Sequence, residues 1–291
     1  MKINTHHFLV VFVIVFALFN SCKKEDGEQI PPSLTVTFSD GSVLSDTASE
    51  AGQSIVINVS ATAGSENITY FSLISNGEHV LDSGLNAESF SSQRIIVKSI
   101  DSLEQYTILV RDKNFQQTSI SFNLNLLPTT VYGNIRTITV ELGAQDHSSL
   151  GGFYNLFGQQ VFTLPDAFNN QDSVQMYYYY DAVDENTIAS PNANIDTTIT
   201  GSTYGFSNWT TRNEIRYVKL SITQQDFDNC QHDSTIIANL FQYDTGKRKS
   251  KNLIPGDIYE FSHDGRYGIF YVNNVVGTTA GTINITIKIQ E

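Results

Sequence analysis

From Leu34 onward the apolar residues recur at every second position in short runs, a spacing that commits the chain to β-structure. Leu34, Val36 and Phe38 form the first run and Ile55, Ile57 and Val59 the second; Tyr70 to Ile74, Ile95 to Ile100, Tyr106 to Val110, and Ile120, Phe122 and Leu124 continue the series. Successive side chains of a strand point to opposite faces, so each run supplies one apolar face. Asp40-Gly41, Ala63-Gly64, Asn76-Gly77 and Ser83-Gly84 separate the runs with residues that accept the positive φ of tight turns. No segment in this half sustains a period of 3.6.

About seven short strands in about a hundred residues is the count of an immunoglobulin-like sandwich, and the span 34–127 resembles the Ig-like modules of bacterial surface proteins. It lacks the cysteine pair and the buried tryptophan of antibody domains, so the resemblance implies the architecture alone. Pro128 closes this span, and strands resume at Ile135 to Leu142, Ser173 to Tyr180, Ile215 to Ile222, Ile258 to Phe261, Tyr267 to Val272 and Ile283 to Ile289. Two stretches read as helical: Pro165 to Asn170, and Thr223 to about Phe241, where Thr223 and Asp226 have the spacing of a capping box. The expected fold is all-β: two β-sandwich-like domains, 34–127 and 128–291, the second carrying one or two short helices.

The first residues obey a different rule. Lys2 precedes an unbroken apolar run from Phe8 to Phe19 that ends at Asn20-Ser21-Cys22. Twelve apolar residues fall short of the ~20 needed to span a bilayer, whereas a positive start, an apolar stretch of this length and a small residue before the cut are what a secretory signal requires. Leu18-Phe19-Asn20-Ser21-Cys22 resembles a lipoprotein box, which implies cleavage after residue 21 and a lipid on Cys22. Lys23-Lys24-Glu25-Asp26 is similar to the lysine-then-acid export tag of Bacteroidetes-type surface lipoproteins, which implies display on the outer face of the outer membrane; a solvated charged tether explains the same four residues equally well. Residues 22–33 then read as the tether, with Pro31-Pro32 as a semi-rigid spacer lifting the first domain off the lipid.

The formal net charge of −13 becomes −14 once Lys2 leaves with the leader. Nucleic acid is excluded as a partner, because binding phosphates needs clustered lysine and arginine. The single basic run, Lys247-Arg248-Lys249 with Lys251, reads as a solvated loop tip beside Gly246. Of the two cysteines Cys22 is consumed by the lipid, which leaves Cys230 as a lone thiol of the kind usually buried.

Catalytic patterns are weak. There is no Gly-x-Ser-x-Gly elbow, and His79, His147, His232 and His263 are scattered, so no nucleophile and base are paired in sequence. Cys230-x-His232 with Asp233 lacks the second half of a zinc site. Asp181, Asp184 and Glu185 share one expected loop and are weak candidates for calcium, the one cofactor the sequence raises. Aromatics are the more pointed signal: Tyr204, Phe206 and Trp209 lie with Asn208 in a Gly-, Ser- and Thr-rich stretch, where rings could pack on a sugar and the amide could bind its hydroxyls. The competing explanation is that Phe206 and Trp209 cap the sandwich core. Asp46-Thr47-Ala48, Asp101-Ser102-Leu103, Asp172-Ser173-Val174, Asp196-Thr197-Thr198 and Asp233-Ser234-Thr235 resemble the hydroxyl-glycosylated sites of exported proteins of this bacterial type.

The expectation is a membrane-anchored, non-catalytic surface lipoprotein whose second domain binds a glycan through Trp209, Tyr204, Phe206 and Asn208. Its layout resembles the accessory glycan-binding lipoproteins of starch-utilisation-type uptake systems. A structural or adhesive protein with an extracellular protein partner is the alternative, marked by an exposed apolar patch.

Overall fold

A computed structural model describes residues 29–127 and 132–291. The leader, Cys22 and the export-tag residues lie outside it. The chain is all-β in its framework, with four short α-helices among the described residues set against the sheets.

Eight strands build the first unit: β1 (Ser33–Phe38), β2 (Thr47–Ser49), β3 (Ser54–Thr62), β4 (Ile68–Ser75), β5 (Glu78–Ala87), β6 (Ser89–Val97), β7 (Leu103–Asp112) and β8 (Gln117–Leu126). They pair as a three-stranded sheet, β1-β3-β6, and a five-stranded sheet, β2-β8-β7-β4-β5, in which only the β2–β8 pairing is parallel. This is a two-sheet sandwich, and its core of Val36, Ile57, Val59, Phe71, Leu73, Ile96, Tyr106, Ile108, Phe122 and Leu124 comes from the alternating positions of both sheets. Asn76-Gly77 makes the β4–β5 hairpin, both residues at positive φ. Ser83-Gly84, expected as a turn, instead lies within β5. The β4–β5 register shifts near this hairpin, and the polar composition of β5 hid the strand from a reading of apolar alternation.

The second unit contains β9 (Ile135–Gly143), β10 (Phe153–Asn155), β11 (Gln160–Phe162), β12 (Met176–Asp181), β13 (Glu185–Ala189), β14 (Arg216–Lys219), β15 (Lys249–Ser250), β16 (Ile258–His263), β17 (Arg266–Val276) and β18 (Thr282–Gln290). Its helices are α1 (Leu164–Asn169), α2 (Thr197–Thr200), α3 (Gln224–Asn229) and α4 (Ser234–Ile237). Two five-stranded sheets, β11-β10-β12-β13-β15 and β14-β16-β17-β18-β9, enclose a core that includes Tyr154, Met176, Tyr178, Ile188, Phe261, Phe270 and Ile285. Both sheets are also covered on their outer faces. Loops with α1 and α2 bury Tyr177, Tyr179, Phe153 and Trp209 against the first, while α3, α4 and Val97 of the first unit bury Phe227, Ile236 and Ile269 against the second. Both faces being covered explains why Tyr177, Tyr178 and Tyr179 are all buried despite alternating across their strand.

The capping box at Thr223 forms as its spacing predicts: the Asp226 amide donates to the Thr223 hydroxyl, and the Asp226 carboxylate accepts from the Thr223 amide at 2.9 Å. The helix it starts ends at Asn229, and α4 begins only at Ser234, so the expected span of 223–241 is two short helices. Between them the Asp233 carboxylate accepts from the Gly133 amide and the Gln290 side chain, tying the start of the second unit to its last strand.

The joint between the two units is a buried polar network. Lys98 and Glu104 are both buried and meet at 2.6 Å. The Lys98 ammonium also donates to the carbonyls of Ser99 and Asp101, which satisfies its three protons. Glu104 accepts from the Tyr106 hydroxyl, which accepts from Gln242 of the second unit; the same Gln242 amide clamps both backbone groups of Val97 at the buried end of β6.

The expected spacer differs at its second half. Ile30 exchanges two hydrogen bonds with Ser65, Thr118 donates to the Pro32 carbonyl, and Asn114 donates to Gln29. Gly64 permits this: a Cβ there would fall 2.0 Å from the Ile30 carbonyl oxygen. Residues 29–33 therefore belong to the sandwich.

Candidate functional site

The aromatic loop does not form a platform. Phe206 and Trp209 are buried in the cluster over β10 and β12, with the Trp209 ring 5.8 Å from Phe153 and 4.8 Å from Phe206. The indole N–H donates to the Tyr204 carbonyl, so neither its face nor its donor is offered outward. The Asn208 amide is spent inside the loop on the carbonyls of Ser202 and Thr203. Tyr204 stays exposed, leaning on Phe168, and Asn208 is exposed but turned back on its own loop. The glycan-binding roles expected for Trp209, Phe206 and Asn208 are thus corrected: Phe206 and Trp209 cap a core, because the outer face of the β12 sheet needs an apolar cover, and the Asn208 amide holds the loop that carries them.

Calcium fares likewise. Asp184 is buried, its carboxylate held by Lys249 at 2.7 Å, Lys251 at 2.5 Å and the Tyr179 hydroxyl. Burial pushes the Asp184 carboxyl up, but these bonds outweigh it and hold the group below the usual range. Asp181 accepts the amides of Val183 and Asp184 within a turn that leaves Glu185 at φ 53°. Among the described residues no three His, Cys, Asp or Glu side chains gather as a metal site. The basic run expected as a loop tip is the edge of this sheet instead, with Arg248 on Glu214 and Lys249 and Lys251 on Asp184.

Ser72, His79 and Asp82 come together on the β4–β5 face, yet the Ser72 hydroxyl and Asp82 carboxylate both meet the same ring nitrogen, Nδ1, at 3.0 and 2.9 Å. A serine relay needs the two on opposite nitrogens, so this cluster cannot pass a proton from serine to carboxylate. The Cys230 thiol is buried, which pushes its pKa up and keeps it a poor nucleophile.

A concavity of about 180 Å³ lies between the loop 144–152, the start of α1 and Ile199. His147, Ser148 and Ser149 contribute polar groups beside Gln145; Leu150, Leu164 and Ile199 contribute apolar ones; Phe153 and Tyr177, their rings stacked 4.1 Å apart, complete the lining and join it to the cluster that buries Trp209.

The loop that makes the wall is held from three directions. Ala144 and Asp146 donate to the carbonyls of Gly281 and Thr279 in the β17–β18 hairpin, Gly143 donates to Gly151, and Gln145 brackets Tyr180 by accepting from its amide and donating to its carbonyl. Gly151 and Gly152 are required by close approach, since a Cβ would fall 2.0 Å from the Phe162 carbonyl oxygen or 2.6 Å from that of Gly143. His147 Nδ1 accepts from the amides of Ser149 and Leu150, which fixes the ring and puts the proton of the neutral imidazole on Nε2. The sequence signal for this site was a histidine, an aspartate and two serines bracketed by Gly143 and Gly151-Gly152 directly after a strand, a pattern tied to no named motif.

No protein family model and no curated protein matches the chain. Among solved structures it is similar to a DUF4466 family protein from Parabacteroides merdae, at 11% identity over 91% of this chain and 100% of the other, with a TM-score of 0.35. It is also similar to fibronectin(III)-like modules of CbhA from Clostridium thermocellum, at 11% identity over 32% of this chain and 96% of the other, with a TM-score of 0.23.

Proposed function

We propose that this chain is a lipid-tethered outer-membrane surface protein that binds an extracellular glycan without catalysis, seating one small neutral ring in the pocket under the 144–152 loop. The observation that carries the reading is the rigid loop itself: a preformed wall presenting His147, Ser148 and Ser149, held in place by the Gln145 bonds to Tyr180, loses little conformational entropy when hydroxyls dock on it. The volume, about 180 Å³, lies below the range of drug-sized pockets and suits a terminal sugar rather than a chain of them. A charge of −13 disfavours anionic ligands, which leaves neutral polyols as the chemistry that hydroxyl and imidazole groups recognise.

The test is a glycan array of the folded protein beside Ile199→Trp, which fills the mouth, and Ser148→Ala, which removes one hydroxyl at an exposed position. Binding lost in the first and weakened in the second supports the pocket. A silent array from well-folded protein, or binding indifferent to Ile199→Trp, refutes it and shifts the reading to a structural or adhesive role.

A further inference from the structure

The two ends of the first sandwich differ in a way that bears on the membrane. At one end the second unit docks through Val97, Tyr106 and Gln242. The other end, about 30 Å away along strands of nine or ten residues, gathers the turns after β3, β5 and β7 and receives the chain at Gln29. Here Ile30 and Phe115 are 60% and 75% exposed, on segments joined by the hydrogen bond between their neighbours Gln29 and Asn114.

Phe115 sits where a phenylalanine is disfavoured twice. In the Asp112–Gln116 turn the Asp112 carboxylate accepts the amides of Asn114 and Gln116, and the amides of Asp112 and Phe115 pair with the carbonyls of Gln116 and Asp112. This is a three-residue hairpin loop whose last position takes the left-handed conformation that glycine or asparagine favours, and Phe115 occupies it at φ 64°. The ring is not withdrawn into the core; it lies over the Arg111 guanidinium, 5.4 Å from its centroid, and faces solvent. A strained backbone holding an apolar ring in water indicates a contact the isolated chain lacks.

The length of chain beyond Gln29 selects the partner. From Cys22 to Glu28 are seven residues, at most about 25 Å of contour at ~3.5 Å each, so a lipid on Cys22 keeps this end of the sandwich within reach of the headgroups. Arg111 and Lys113 are met there by Asp112, Glu66 and Glu88, so this end has no excess of positive charge to draw it to anionic headgroups and suits a zwitterionic surface. We propose, resting on the lipid-tether reading above, that Phe115 and Ile30 insert at the bilayer interface as a second contact beside the acyl chains, fixing the orientation in which the second unit points outward.

The experiment places an indole at the tip with Phe115→Trp and, as a control in the second unit, at the exposed Val183 with Val183→Trp, in the full-length mature protein bound to phosphatidylcholine–phosphatidylethanolamine vesicles containing bromine-labelled acyl chains. Trp209, buried in both, contributes the same background. The proposal expects a blue shift and severalfold stronger bromine quenching for Phe115→Trp than for Val183→Trp. Intact mass of the mature N-terminus is read first: an unacylated Cys22 overturns the tether reading and the proposal with it. An acylated, vesicle-bound protein whose indole at 115 is unshifted and quenched no more than the control overturns the interface contact alone, leaving Phe115 to a protein neighbour.

Discussion

Glu260 gives the sharpest quantitative prediction. It projects from β16 into the apolar layer between the sheet and the helices α3 and α4, is 0% exposed, and neither carboxyl oxygen has a hydrogen-bond partner among the described residues. The one buried lysine on that face, Lys288, lies across Ile269 two strands away, about 10 Å, and spends its protons on the carbonyls of Asp228 and Cys230. Burial alone pushes the Glu260 carboxyl up to about 9 from an ordinary 4.5. Between those values the folded chain keeps a proton that the unfolded chain has lost, so stability falls as pH rises from 4.5 to 9, by about 1.4 kcal/mol per pH unit. Glu260→Gln keeps the shape and removes the titration. It is therefore expected to differ from the parent by under about 1 kcal/mol at pH 5 and to be more stable by about 3 kcal/mol at pH 7. For a unit of this size that is a rise in Tm of roughly 6–12 °C, or a urea midpoint higher by about 1–3 M. Urea titrations at both pH values, followed by the emission of Trp209, report this unit directly. A difference between variant and parent that is the same at pH 5 and pH 7 refutes the assignment of a neutral, buried Glu260.

Three further outcomes follow from the same structure. Glu104→Ala strands the Lys98 ammonium in the joint and is expected to cost about 3–5 kcal/mol by chemical denaturation, while the double change Lys98→Met with Glu104→Leu recovers most of it; an exposed pair would show neither effect. Phe115→Gly relieves the left-handed residue and should stabilise the soluble chain by about 1 kcal/mol while weakening vesicle contact, so a destabilised variant refutes the strain argument. Intact-mass spectrometry of native protein should find sugar on the Asp-Ser/Thr sites, first on Ser102 and Thr197, whose positions are the most open of the five; a bare mass removes the idea.

Local spacing fixed what depends on neighbours in the chain. Alternating apolar residues made β1, β3, β7 and β8 legible, Asn76-Gly77 its hairpin, and Thr223 with Asp226 a helix start, because pleat, turn and cap each involve only a few consecutive residues. The fate of a side chain is a different quantity. Trp209 stands in a Gly-, Ser- and Thr-rich loop and is nonetheless core, because the β12 sheet beneath it, remote in sequence, has an outer face to cover. Nothing in their neighbours marks Lys98 and Glu260 for burial, yet both are buried, one paired and one orphaned, because the docking of distant segments decides what is left in water. Nothing local singles out Phe115 either, and only its backbone angle and the bond of its neighbour Asn114 to Gln29 give it a role. Sequence sets the pattern each segment can offer; the packing of segments far apart in the chain decides which of those offers meet protein and which meet solvent.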